Sequence, residues 1–135
     1  MTLGLGASCR IAYEDEDYLI YKYSSYDYDY ENWEEAKNAY DGTIKIHKDY
    51  FPKPIISKKK IKKANGKKVW IERRKYPEVN YEYFIQNGKI FVINSHYASI
   101  LSENGIDSLA LDLIFKMNLS YQKSGHIPEK LDFFH

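Results

Sequence analysis

A single cysteine, Cys9, among 135 residues excludes any disulfide within the chain. Stability must then come from burial and hydrogen bonding, and a lone thiol fits a reducing compartment. No apolar run approaches the roughly 20 residues of a membrane span. The first ten residues have neither the basic start nor the apolar stretch of a secretion signal. These absences predict a cytoplasmic protein with no membrane contact. Metal and cofactor signatures are missing as well. His47, His96, His126 and His135 show no H-x-H, H-E-x-x-H or Cys/His spacing. Gly4-Leu-Gly6 precedes a strand pattern, whereas a dinucleotide fingerprint would follow one. No metal and no cofactor is expected.

Net charge is also nearly absent, at +1, yet the charges are sorted into blocks. Residues 1–51 carry 5 basic and 11 acidic side chains, residues 52–76 carry 11 and 1, and residues 77–135 carry 4 and 7. The block charges are −6, +10 and −3. Separation on this scale builds a steering field that a near-neutral total conceals. Tyrosine is sorted too, since 7 of the 14 lie between Tyr13 and Tyr30. A half-buried sheet face accommodates tyrosine, with the ring packed and the hydroxyl wet, and recognition surfaces are enriched in it.

Cys9–Tyr13 and Tyr18–Tyr23 read as strands, and the acidic link Glu14-Asp15-Glu16-Asp17 makes them a hairpin. Trp33, Ala36 and Tyr40 recur at helical spacing, with a stop near Asp41-Gly42. Thr43–Lys48 alternates as a third strand, and Phe51-Pro-Lys-Pro54 is a break. Asn65-Gly66 is the tip of a second hairpin whose later arm is Lys68–Arg73. The alternative for residues 57–66 is a short lysine-rich helix capped by Ser57. Asn87-Gly88 carries the same ambiguity, because Asn80 could start a helical turn over residues 80–88. Lys89–Asn94 is a strand either way. The strongest helix signal spans Ile106 to Lys123, with Gly125 at its stop and Pro128 beyond. Ile106, Leu109, Ala110, Leu113, Ile114, Met117 and Tyr121 share one apolar face of it. Leu111, Phe115 and Leu119 form a second ridge, to be covered by the tail residues Ile127, Leu131, Phe133 and Phe134 or by a second copy in a homodimer. Strands first and the long helix last predict one α+β domain over residues 1–135, with a curved antiparallel sheet of hairpins packed on that helix.

Catalytic residues are few. Cys9 on an apolar strand face reads as a small core residue. His47, beside the basic block, would suit a nuclease, but nothing positions a partner for it. Asp27, Asp29, Glu31 and Glu35 sit at calcium-loop spacings, yet Asn32 stands where glycine is needed and Asn38 where a bidentate glutamate is needed. Glu14–Asp17 is a solvated turn. The expectation is a non-enzymatic binding protein, in the manner of a small inhibitor or immunity protein. Its contact would be the interleaved acids and aromatics Tyr26, Asp27, Tyr28, Asp29, Tyr30, Glu31 and Trp33. The alternative is a nucleic-acid-binding module, in which Lys58, Lys60, Lys62, Lys67, Lys68, Arg73 and Arg74 neutralise phosphates and Trp70 stacks on a base. Two plainer uses of the same lysines are protection of a sheet edge and pairing with the protein's own acidic segments.

Overall fold

Alternation and capping place the elements. The computed structural model describes residues 4–134. The order is β1 (Leu5–Glu14), β2 (Tyr18–Asp27), α1 (Trp33–Ala39), β3 (Gly42–His47), a 3-10 turn (Lys48–Tyr50), β4 (Ile55–Lys62), β5 (Lys68–Lys75), α2 (Tyr81–Gln86), β6 (Ile90–Ile93), α3 (Ser108–Ser124) and β7 (Lys130–Phe134). Five strands form an antiparallel sheet in the order β6-β3-β2-β1-β7, and β4 pairs only with β5 in a separate ribbon. The fold is α+β, as the order of patterns predicts. Among the described residues, no helix is long and apolar enough to cross a membrane.

Strand parity decides which residues enter the core. Ala7, Cys9, Leu19, Tyr21, Tyr23, Ile44, Ile46 and Ile90 are buried in one cluster with Leu109, Ala110, Leu113, Ile114, Met117 and Tyr121 of α3. Each fully buried leucine or isoleucine contributes about 1.5–3 kcal/mol of transfer free energy. The opposite parity of β1 and β2 buries Gly6, Ser8, Ser24 and Tyr26 near α1. There the Tyr40 amide donates to Ser24 Oγ at 2.8 Å. Two tyrosine rings lie across glycines on neighbouring strands, Tyr26 over Gly6 and Tyr23 over Gly42. Any Cβ at those glycines would overlap the ring.

The buried tyrosine hydroxyls all find partners. Tyr21 donates to the Pro128 carbonyl at 2.6 Å and Tyr50 to the Ile114 carbonyl at 3.0 Å. Tyr23 donates to Asp107 Oδ2 at 2.9 Å and accepts from the Ser95 amide at 2.8 Å. Asp107 also caps α3, accepting from the Leu109 amide at 3.0 Å. Burial pushes the Tyr21, Tyr23 and Tyr50 hydroxyls well above their ordinary value, so they remain protonated donors. Burial likewise raises the Asp107 carboxyl, against the lowering effect of Tyr23.

Several local expectations resolve or change. Residues 57–66 are strand and turn, so the hairpin holds and the Ser57 helix does not form. Residues 81–86 are instead helical, because Asn80 Oδ1 accepts from the Glu82 amide at 2.9 Å, and Gly88, at φ 72°, follows its end. One Asn-Gly is a hairpin tip and the other is a helix stop. Tyr26 lies inside β2 and is buried, whereas its sequence position suggested a site past the strand. The tail does not cover the second ridge of α3. It extends the sheet as β7, paired with β1 from Gly6↔Phe134 to Arg10↔Lys130, because alternating Leu131 and Phe133 have a free strand edge to join. Leu111 packs on the core, while Phe115 and Leu119 stay 52% and 40% exposed.

Candidate nucleic-acid interface

The β4–β5 ribbon begins and ends at α3. Tyr121 donates its hydroxyl to the Pro52 carbonyl at 2.9 Å, and its ring contacts Phe51 and Tyr76 edge-on at 5.4 and 5.2 Å. Pro52 precedes β4 and Tyr76 follows β5, so one helical side chain fixes both feet of the ribbon. Beyond that clamp the arms pair with each other and, among the described residues, pack substantially against no other helix or strand. At the tip the Lys63 amide donates to the Lys67 carbonyl at 2.7 Å, and the Lys67 amide donates to Asn65 Oδ1 at 3.0 Å. Gly66, at φ 85°, takes the left-handed position that this turn requires.

Antiparallel register sorts the ribbon into two faces. Ile56↔Arg74, Lys58↔Glu72, Lys60↔Trp70 and Lys62↔Lys68 are opposed on one face. Ile55↔Lys75, Ser57↔Arg73, Lys59↔Ile71 and Ile61↔Val69 are opposed on the other. Of the residues singled out from sequence, Lys58, Lys60, Lys62, Lys68, Trp70 and Arg74 therefore converge. Arg73 points the opposite way, and Lys67 belongs to the tip. Trp70 is 67% exposed, with Lys60 Nζ 5.8 Å from its ring centre. Among the described residues the only ion pair made by a ribbon cation is Arg74 Nε to Glu72 Oε1, at 4.0 Å and within the ribbon itself. Pairing of the basic block with the protein's own acidic segments is thus not what the fold does with it.

The acidic, tyrosine-rich stretch is differently placed. Tyr26 is buried, and Tyr28 packs edge-on against Tyr26 and Phe134 and lies 4.6 Å from the Trp33 ring. Trp33 is half-buried at the start of α1. Asp29, Tyr30 and Glu31 are exposed and Asp27 is partly so, with its Oδ1 accepting from the Asp29 amide at 2.9 Å. The aromatic half of the segment is mostly internal packing. Its acidic half faces solvent.

The catalytic candidates are occupied structurally. Burial pushes the Cys9 thiol up to about 12, which leaves no thiolate at neutral pH. His47 Nδ1 accepts from the Asp49 amide at 3.0 Å, capping the 3-10 turn, and its ring packs against Tyr18. Among the described residues no three His, Cys, Asp or Glu side chains gather as a metal would require. Sequence reasoning passed over Glu72, which shares a depression of about 330 Å³ with Lys58 and Trp70. Its signal was present, since it is the sole acid in the basic block. The chain matches no protein-family model, no curated protein and no solved structure.

Proposed function

We propose that this protein binds nucleic acid through the Lys58–Arg74 face of the β4–β5 ribbon, with lysines on phosphates and Trp70 stacked on an unpaired base. The observation that carries the reading is the register, which gathers five cations and the exposed indole on one face of a projecting ribbon. Cations at strand spacing meet successive phosphates, and an exposed indole offers a sequence-tolerant stacking surface. Edge protection alone would call for charge but not for an exposed tryptophan among the lysines. The acidic remainder of the chain favours approach at the ribbon, because phosphates are repelled elsewhere.

Fluorescence anisotropy of labelled single-stranded and duplex DNA and RNA across a salt series tests this reading. The expected result is micromolar or tighter binding at low salt, preferring single strands and weakening by a log–log slope of about −0.7 per phosphate contact. Absence of binding at low salt would overturn it.

A second reading assigns a protein partner to the acidic edge. It is favoured by the exposure of Tyr30 at 59%, beside Glu31, on a loop braced by the Tyr28–Trp33–Phe134 cluster. Replacement of Asp27, Asp29 and Glu31 by Asn, Asn and Gln should then weaken partner capture. Unchanged capture would remove that edge as a contact.

A further inference from the structure

A carboxylate in the middle of a phosphate-binding face is costly, because it repels the ligand that its neighbours attract. Glu72 is nevertheless the only acid among residues 52–76, and it sits on the lysine and tryptophan face rather than on the reverse. It is two residues from Trp70, hence on the same side of β5, and directly opposite Lys58. Those three side chains line the depression of about 330 Å³, which lies at the small end of ligand-sized pockets. The Glu72 side chain is 49% exposed, and its distance of 4.0 Å from Arg74 Nε is too long for a hydrogen bond. Its oxygens therefore keep acceptor capacity in the depression beside the indole.

We infer that Lys58, Trp70 and Glu72 form a base-selective subsite that takes an unpaired guanine, an inference that rests on the nucleic-acid reading above. Trp70 supplies the stacking surface, Lys58 contacts the flanking phosphate, and the Glu72 carboxylate accepts from the Watson–Crick edge. An ionised carboxylate offers two acceptor oxygens side by side and no donor. Guanine alone among the bases presents two adjacent donors on that edge, N1–H and the N2 amine. Adenine and cytosine place a ring-nitrogen acceptor beside their amine, and thymine places its one N–H between two carbonyls. The fit is the same two-point match by which forked donors read carboxylates elsewhere in proteins. Stacking is indifferent to base identity, so the selectivity of this subsite resides in Glu72.

The test uses the full chain and labelled thymidine tracts of roughly 12 nucleotides, within the range of single-strand site sizes. One tract is plain, one carries guanine at two central positions, and one carries inosine there, which lacks the N2 amine. The guanine tract should bind about tenfold tighter than the plain one, the difference expected of hydrogen bonds to a charged acceptor. Inosine should erase most of that gain. Glu72→Gln keeps the side-chain shape and, at a half-exposed position, leaves the fold intact. It should bring the guanine and thymidine tracts to within about twofold of each other while plain-tract binding is kept or strengthened, as loss of a negative charge requires. Equal binding of the guanine and plain tracts by the native protein, or a guanine preference that survives Glu72→Gln, would overturn the subsite and leave ribbon binding intact. Failure of every tract to bind at low salt would overturn both.

Discussion

The five-stranded sheet and the two-stranded ribbon are both antiparallel and both obey strand parity, but they use it for different ends. In the sheet the central inward positions are covered, so Tyr21, Tyr23, Ile44 and Ile46 are fully buried and every hydroxyl among them is bonded. Among the described residues no other helix or strand packs substantially on either face of the ribbon. Trp70 stays 67% exposed, and Ile61, Val69 and Ile71 on the reverse are only half-buried. An isolated two-stranded hairpin is marginal in water, and this one persists because Tyr121 clamps its feet. Burial accounts for the side chains of the sheet. It does not account for the lysines and tryptophan of the ribbon, which stay on the surface.

The comparison can be broken first at its largest contrast. Leu113→Ala or Ile114→Ala should cost about 2–5 kcal/mol in urea unfolding, because both side chains are fully buried. Trp70→Ala, although it removes a larger side chain, should change stability by no more than about 0.5 kcal/mol. A core-sized loss at Trp70 would show that the ribbon is part of the fold's stability. The same Trp70 variant sharpens the contrast in the other direction, since its single-strand affinity should fall by about 1–3 kcal/mol.

Gly42→Ala is expected to destabilise by about 1–3 kcal/mol, because the new methyl displaces the Tyr23 ring and with it the bonds to Asp107 and Ser95. Ala at the exposed Gly66 meets no neighbouring atom, and its cost is confined to the left-handed backbone. Thermal unfolding of the two variants side by side separates crowding from conformation.

The smallest effect compares the two hairpin turns. Asp15 Oδ1 accepts from the Tyr18 and Asp17 amides at 2.7 and 2.8 Å, and these bonds hold its carboxyl below the usual carboxylate range. A depressed carboxyl contributes stability above its unfolded value of about 3.9 that is lost as pH falls through the folded value. The melting-temperature advantage of the native protein over Asp15→Asn should therefore shrink on acidification to that range. Asn65 makes the equivalent bond at the ribbon tip without a charge, so Asn65→Ser should show no such acid dependence.

Much of the fold was legible because periodicity and caps are local. Leu109 through Tyr121 repeat at helical spacing and Gly125 closes that helix, although it begins at Ser108, capped by Asp107, rather than at Ile106, and Asn65-Gly66 turns a hairpin. What remained hidden depends on contacts distant in sequence. Leu131 and Phe133 alternate as any strand does, but only an open edge of β1 makes them one. Tyr50 lies between the third strand pattern and the break at Phe51-Pro-Lys-Pro54, where nothing local marks it as core, yet its ring is buried where its hydroxyl reaches the Ile114 carbonyl. At the candidate site, composition singled out Trp70 and the lysines, but not their division by face. Register did that, separating Arg73 from Arg74 and bringing Glu72 beside the indole.

The most direct test of the division between a stabilising sheet and a binding ribbon is one variant read in two ways. Lys58, Lys60, Lys62 and Lys68, all exposed on one face, are replaced together by Gln, and both melting temperature and single-strand affinity are measured. The expected result is a melting temperature within about 4 °C of the native value, equivalent to about 1 kcal/mol. Affinity at low salt should fall at least about tenfold, with a shallower salt slope. Undiminished binding, or unfolding as severe as that of a core substitution, would contradict it.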